Sequence, residues 1–251
     1  MVSCLGKRIY KDIAPYYDRL MDDVDYKAWI AYIKNICTLK KCEPKSVLDL
    51  GCGTGMPALL LLNDGCSVIG IDGSPEMLGI AQKRLAQYDP PLIQSSFEGF
   101  YINQKVDLAL SLFDSLNNLI DEGSLQRAFD RVAQCVRKRG LFLFDMNTIY
   151  GLRHMDERDM YTKESRGVYS IWKSRFDRRR SLITLSVTLF ASENGLYRRI
   201  EETHLERGYP LSTLKQLLLQ SGFGKITFYE HLTFRSAGPR TNRVMVVATK
   251  R

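Results

Sequence analysis

The spacing of apolar positions changes along the chain, and each change marks a different kind of element. Over residues 12–36, Ala14, Tyr17, Leu20 and Met21 recur three and four apart, and residues 26–36 form a second such run, so the chain begins with helices. Short apolar runs then alternate with amphipathic ones. Residues 46–50, 67–71, 92–95, 106–112 and 140–146 read as strands; residues 57–63, 75–86 and 123–137 read as helices. Ser74 is placed to cap the second of these helices, with Pro75 at its first position, where proline is tolerated. Strand–helix alternation of this kind predicts an α/β fold with a parallel, doubly wound sheet.

From about residue 155 to 207 the period drops to two. Ile183, Leu185, Val187 and Leu189 alternate with Leu182, Thr184, Ser186 and Thr188, and Glu193-Asn194-Gly195 has hairpin-turn chemistry. This predicts a small antiparallel β-sheet inserted into the α/β domain. After Pro210, residues 214–220 read as a helix stopped by Gly222, and residues 225–234 and 243–249 as closing strands. The expected organisation is N-terminal helices and α/β core over 1–150, an inserted sheet over 151–208, and completion of the core over 209–251.

Composition narrows the class. The chain has 251 residues, 45% hydrophobic and 25% charged, which is ordinary globular usage. The longest apolar runs fall far short of the ~20 residues of a membrane helix. The opening residues Met1 to Arg8 lack a secretory apolar core. A cytoplasmic protein with no membrane association is therefore expected. The six cysteines (Cys4, Cys37, Cys42, Cys52, Cys66 and Cys135) form no C-x-x-C pair, and the three histidines have no metal-ligand spacing, so neither a disulfide framework nor a metal site is expected. The net charge of +8 is uneven: residues 1–150 hold 17 Lys/Arg against 18 Asp/Glu, and residues 151–251 hold 19 against 10. The basic excess reads as solvated surface, or as an attraction for anionic molecules.

The strongest chemical signal is Val47-Leu48-Asp49-Leu50-Gly51-Cys52-Gly53-Thr54-Gly55: an apolar strand carrying an acid, then three glycines, then a helix. Glycine permits the tight turn and the close approach of a ligand. In an open α/β sheet such a turn lies at the carboxyl edge, where ligands bind. A dinucleotide fingerprint starting at Gly51 fails at Met56, although one starting at Gly53 passes in its weaker form through Gly55 and Ala58. Asp49 would repel a pyrophosphate, and Pro57 removes an N–H that a phosphate would use. A cationic ligand with an amino group suits Asp49 better.

Asp49-Leu50-Gly51-Cys52-Gly53-Thr54-Gly55 resembles the first motif of class I S-adenosylmethionine-dependent methyltransferases, and the resemblance continues at spaced positions over residues 10–150. It implies a Rossmann-like methyltransferase sheet that binds S-adenosyl-L-methionine and releases S-adenosyl-L-homocysteine. By the same resemblance, Asp72 in Ile71-Asp72-Gly73-Ser74 binds the ribose hydroxyls, with Gly73 beside it, and Met77 packs on adenine. Ser96 and Phe97 stand where the family often has Asp, or an amide with an aromatic. In Leu112-Phe113-Asp114-Ser115-Leu116-Asn117-Asn118, which is similar to a segment of small-molecule methyltransferases arranged distantly like glycine N-methyltransferase, Leu112 and Phe113 would line the cofactor and Asn118 approach it. Asp114 and Asn117 would face the acceptor. Tyr16-Tyr17-Asp18 and Asp25-Tyr26-Lys27-Ala28-Trp29 resemble the cap helices of that subgroup, with Tyr17 and Trp29 closing over the cofactor, whose sulfonium an aromatic face attracts.

The expected reaction is methyl transfer to N or O of a small-molecule acceptor. His204 is the candidate general base by its ordinary pKa range. Tyr150, Arg153 and His154 follow the fifth strand and are expected to reach the acceptor. The insert, expected to act as a substrate lid, supplies Tyr169, Trp172, Arg175, Arg178-Arg179-Arg180 and Arg198-Arg199, a mixture suited to an anionic or aromatic acceptor. RNA is an alternative acceptor, but the chain shows no aromatic–basic RNA module and no amide site for a flipped base. A non-catalytic cofactor-binding regulator is the other alternative, because fold alone does not guarantee activity.

Overall fold

The computed structural model describes residues 9–156 and 160–251. Cys4 and the rest of the opening octapeptide lie outside the described residues. A 3-10 turn at Ala14–Tyr16 leads into α1 (Tyr17–Leu20) and then α2 (Tyr26–Leu39). The core follows with strands and helices alternating, except that β4 succeeds β3 without a helix: β1 (Ser46–Leu50), α3 (Met56–Asn63), β2 (Ser67–Asp72), α4 (Pro75–Arg84), β3 (Leu92–Gln94), β4 (Val106–Ser111), α5 (Glu122–Cys135) and β5 (Val136–Asn147). Three of these helices, α2, α4 and α5, start where a side chain satisfies a first-turn N–H: Asp25, Ser74 and Asp121 accept from the backbone of Ala28, Met77 and Ser124.

A helix that the alternation did not reveal, α6 (Ile149–Asp156), precedes a four-stranded antiparallel meander of β6 (Met160–Ser165), β7 (Val168–Asp177), β8 (Leu182–Glu193) and β9 (Leu196–Arg207). The β8–β9 turn has positive φ at both central residues, Asn194 and Gly195, which matches the right-handed twist of the hairpin. Then α7 (Leu211–Gln220), β10 (Phe223–Glu230) and β11 (Arg243–Lys250) return to the first sheet.

That sheet has the order β10-β11-β5-β4-β1-β2-β3. Strands β1 to β5 are parallel; β11 adds antiparallel to β5, and β10 antiparallel to β11. All six residues of β4 are buried, as befits a central strand covered on both faces. The chain goes from β1 to β2 on one side and returns to β4 on the other, so the strand order reverses between β1 and β4. A crevice opens beyond their carboxyl ends, the usual ligand position in such sheets. No helix among the described residues is long and apolar enough to cross a membrane.

The cap segment is wedged between the meander and the core. Ile13, Tyr16 and Leu20 pack on Val168, Val187, Leu189, Ala191 and Ile200. Glu202 of β9 accepts from the backbone N–H groups of Tyr10, Asp12 and Ile13 at 2.8, 2.9 and 3.1 Å. Lys163 of β6 pairs with Asp22 and Asp23 at 3.1 and 2.6 Å. On the other side, Thr54 donates to Asp18 at 2.7 Å, and Arg84 pairs with Asp18 and donates to the Thr54 carbonyl. The cap is thus tied to the glycine turn and to the meander alike.

Candidate active site

The turn after β1 is built from three left-handed glycines, Gly51, Gly53 and Gly55. Each faces something different. A Cβ on Gly51 would lie 2.9 Å from the Ser115 hydroxyl, and one on Gly55 would press on Ala81 and Leu85, so these two set the packing of the turn. At Gly53 nothing lies within 4 Å, so its open side faces the cleft. Its N–H donates to Asp72 at 2.9 Å, and the other Asp72 oxygen accepts from the Ser74 N–H at 2.8 Å. Each oxygen retains a lone pair for a further donor.

Asp49 is buried, and one of its oxygens has no hydrogen-bond partner. Burial, and then the neighbouring Asp72 charge, push its pKa up to about 7. A buried carboxylate held this way lacks a cation. The open glycine, the orphaned carboxylate oxygen and the second acid together fit the amino group and hydroxyls of S-adenosylmethionine.

Of the residues expected around the cofactor, Tyr17, Asp49, Gly51, Cys52, Gly53, Leu112 and Phe113 line one cleft. Gly73 lies between Asp72 and the capping Ser74; neither it nor Asp72 lines that cleft, which Asp72 adjoins through the bond from the Gly53 N–H. Met77 and Phe97 are buried, the ring of Phe97 reaching 3.3 Å from a Cβ on Gly51, whereas Ser96 is exposed. The Asn118 amide turns back to donate to the Ser115 carbonyl at 3.1 Å. Trp29 departs from its expected place. Its ring lies against Phe113 and His231, with centroids 4.3 and 4.2 Å away, and under the Arg243 guanidinium, so it supports the wall from behind. Tyr26, one helical turn earlier, lines the cleft instead.

Beyond Tyr17 and Phe113 lies a chamber of about 320 Å³, and both side chains belong to its lining as well. Its other walls come from the cap (Tyr10, Ile13, Leu20, Met21), from α6 (Met155) and from the meander (Tyr161, Trp172, Leu185). Asp114, His204, Glu206 and Arg243 supply its charged and titratable groups, with Lys173 at the wall. Phe113 and Asp114 are consecutive non-glycine residues with positive φ. That strain persists because Asp145, at the end of β5, accepts both of their N–H groups at 2.7 and 3.0 Å. Arg243 then pairs with Asp145 and Asp114, each at 2.6 Å.

His204 is buried in β9, not displayed on the hairpin surface. Burial pushes its pKa down to about 4, so the ring is neutral over the physiological range; its Nδ1 has no partner and its Nε2 lies 3.4 Å from Glu202. Asn117 corrects the sequence reading. Fully buried, its amide donates to the carbonyls of Asn147 and Arg207 and accepts from the Asn147 N–H, which leaves nothing to offer an acceptor. It joins the turn after β4 to the ends of β5 and β9. Tyr150, Arg153 and His154 lie on α6 but do not line the chamber, and Tyr169, Arg175, Arg178, Arg179, Arg180, Arg198 and Arg199 are exposed.

Sequence reading missed Asp145, Glu206 and Arg243. One signal was present: Glu202, His204 and Glu206 are two apart in a strand, so they share a face, and in β9 that face points inward. Buried polar residues on an inward face mark a site more reliably than exposed ones.

Fold, glycine turn and paired acids are those of class I S-adenosylmethionine-dependent methyltransferases, to which the chain is similar, and they support S-adenosylmethionine as cofactor. The family described as "Methyltransferase domain" matches residues 47–140. Over nearly the whole length, the chain is 29% identical to the Geobacillus sp. (strain WCH70) protein named "Putative methyltransferase GWCH70_2453", covering 96% of this chain and 99% of that one. Among solved structures it is similar to an S-adenosylmethionine-dependent methyltransferase from Clostridium acetobutylicum, with 26% identity, TM-score 0.86, and 97% and 99% of the two chains covered. The sugar N-methyltransferase KedS8 from Streptoalloteichus sp. shares the fold at 18% identity and TM-score 0.78, with 100% and 97% covered.

Proposed function

We propose that the protein methylates a nitrogen or oxygen of a small-molecule acceptor bound in the chamber beside the cofactor cleft. The observation that carries this reading is the shared wall: Tyr17 and Phe113 border both spaces, so an acceptor in one lies next to a cofactor in the other. S-adenosylmethionine, when bound, supplies a methyl carbon already activated by the adjacent sulfonium. The chain's task is then to bind, align and exclude water. Asp49 would take the amino group, Asp72 the ribose hydroxyls, and the open side of Gly53 would admit the backbone-to-ligand approach. Tyr17 and Tyr26 offer aromatic faces to a cation. Holding two reactants in line can lower a barrier by about 7–11 kcal/mol.

The apolar and aromatic lining, with Trp172 stacked on Tyr161 at a centroid distance of 5.7 Å, suits a compact molecule with an apolar or sugar-like face. The similar fold of a sugar N-methyltransferase supports this class of acceptor. His204, neutral and with a bare Nδ1, acts in this reading as a hydrogen-bond partner that orients the acceptor. We read the meander as the substrate lid and the cytoplasm as the site of action. The test is transfer of a labelled methyl from S-adenosylmethionine to a small-molecule panel. Labelled product is expected, and tight binding of S-adenosylhomocysteine without any labelled product would instead favour a cofactor-binding regulator.

A further inference from the structure

We propose that Glu206 is the proton acceptor of the chamber and that the molecule it serves is an amine, whose ammonium is held between Glu206 and Asp114 and gives a proton to a Glu206 carboxylate oxygen. This rests on reading the chamber as the acceptor site.

The first argument is the charge around Glu206. Asp114 follows β4, Asp145 and Asn147 end β5, Arg243 begins β11, His204 precedes Glu206 on β9, and Tyr10 comes from the cap. Three carboxylates therefore share one half-buried guanidinium, and Arg243 makes its short contacts to Asp114 and Asp145. Glu206 receives a 3.3 Å hydrogen bond from the neutral Asn147 amide. A buried carboxylate in this position is short of one positive charge. Burial and then the Asp114 charge push the Glu206 pKa well above the ordinary glutamate value. An ammonium entering the chamber supplies the missing charge and draws the carboxyl into its ionised form. An anionic acceptor would meet two acids instead.

The second argument is what an amine needs. An ammonium nitrogen has no lone pair to attack a methyl group. When one N–H bond breaks, its electron pair stays on nitrogen and the proton passes to the Glu206 carboxylate, leaving a neutral nucleophilic amine and a carboxylic acid. His204 is poorly suited to that exchange, because burial holds its pKa near about 4. Proton acceptors work best with a pKa near the working pH. A hydroxyl acceptor would need a much stronger base than either group.

The test uses the full chain with methyl-labelled S-adenosylmethionine and paired probes, glucosamine beside glucose and ethanolamine beside ethylene glycol, extended over further aminosugars and their hydroxyl counterparts. Label on amines and not on their partners is expected. Label on the hydroxyl partners, or on neither while calorimetry shows S-adenosylhomocysteine bound, overturns the amine assignment. Absence of cofactor binding overturns the underlying reading, and the proposal with it. On the labelled amine, Glu206→Gln should lower kcat about 100-fold or more and remove the rising limb of the pH profile, with S-adenosylhomocysteine affinity retained. A variant within threefold of the parent, with the same limb, contradicts the role. Independently of any acceptor, the carbon-13 carboxyl signal lost in Glu206→Gln should titrate above about pH 7 in the parent chain; titration near the ordinary glutamate value of about 4.3 contradicts it.

Discussion

At the scale of single residues, the site is built on acids that differ in how far they are already bonded: one Asp49 oxygen has no partner, whereas Asp72 accepts from two backbone N–H groups. Asp72 is the most direct to test, because it holds the Gly53 turn and, in the proposed function, takes the ribose hydroxyls. Asp72→Ala should weaken S-adenosylhomocysteine binding by about 1–3 kcal/mol, the scale of lost charge-assisted hydrogen bonds, read by calorimetry. Asp145 plays a purely structural part: its carboxylate holds two strained N–H groups and one guanidinium. Asp145→Ala removes the fully buried half of this pair, leaves the half-buried Arg243 with Asp114 alone, and should cost about 3–5 kcal/mol in urea unfolding. The contrast between the two acids shows what was legible. Asp49, Gly53 and Asp72 could be read from a local motif. Asp145 and Arg243 meet across 98 positions of sequence, and no local spacing announces such a pair.

Among elements, the cap and the meander act as one body. Glu202 gathers three backbone N–H groups of the cap, which would otherwise remain without these bonds in a half-buried seam. Glu202→Ala should loosen residues 10–13 and speed dissociation of S-adenosylhomocysteine, measured by stopped-flow, while leaving the sheet order intact; an unchanged rate would contradict the cap's closing role. At the start of α6, Gly151 lies so near the Asn242 carbonyl that an added Cβ would sit 2.0 Å from its oxygen. Gly151→Ala should therefore destabilise by about 1–3 kcal/mol in thermal unfolding. The alternating core was readable because buried parallel strands and capped helices carry strong local signals, and the β8–β9 hairpin because Asn-Gly dictates its turn. Helix α6 was not, since its eight residues begin directly after β5 and merge with the change of period. Nor was the inward aim of β9 fixed by its alternation, because polar residues occupied the face that the core would claim.

For the whole molecule, the buried titratable groups set a pH dependence whose sign can be worked out. His204 and His231 both have pKa values lowered to about 4, so the stability that they confer when neutral is lost as pH falls from 6.5 through 4. Asp49 is raised to about 7 and Glu206 also lies above its ordinary value, so what they confer when protonated is lost as pH rises through those folded-state values. The ligand-free chain should therefore show a falling thermal midpoint from about pH 6.5 to 8, and Glu206→Gln should flatten the upper part of that fall. The basic excess of the C-terminal part has a different place: Arg175, Arg178, Arg179, Arg180, Arg198 and Arg199 are exposed, so that charge belongs to the surface and not to the chamber.

The central claim is that cleft and chamber meet at Tyr17 and Phe113, so that a methyl group held on one side is presented to the other. A crystal structure of the full chain with S-adenosylmethionine tests it directly. The account predicts the amino group beside Asp49, the ribose on Asp72, and the methyl carbon between Tyr17 and Phe113, directed toward Asp114 and Glu206. A methyl carbon directed away from that chamber, or a cofactor bound elsewhere on the sheet, would contradict it.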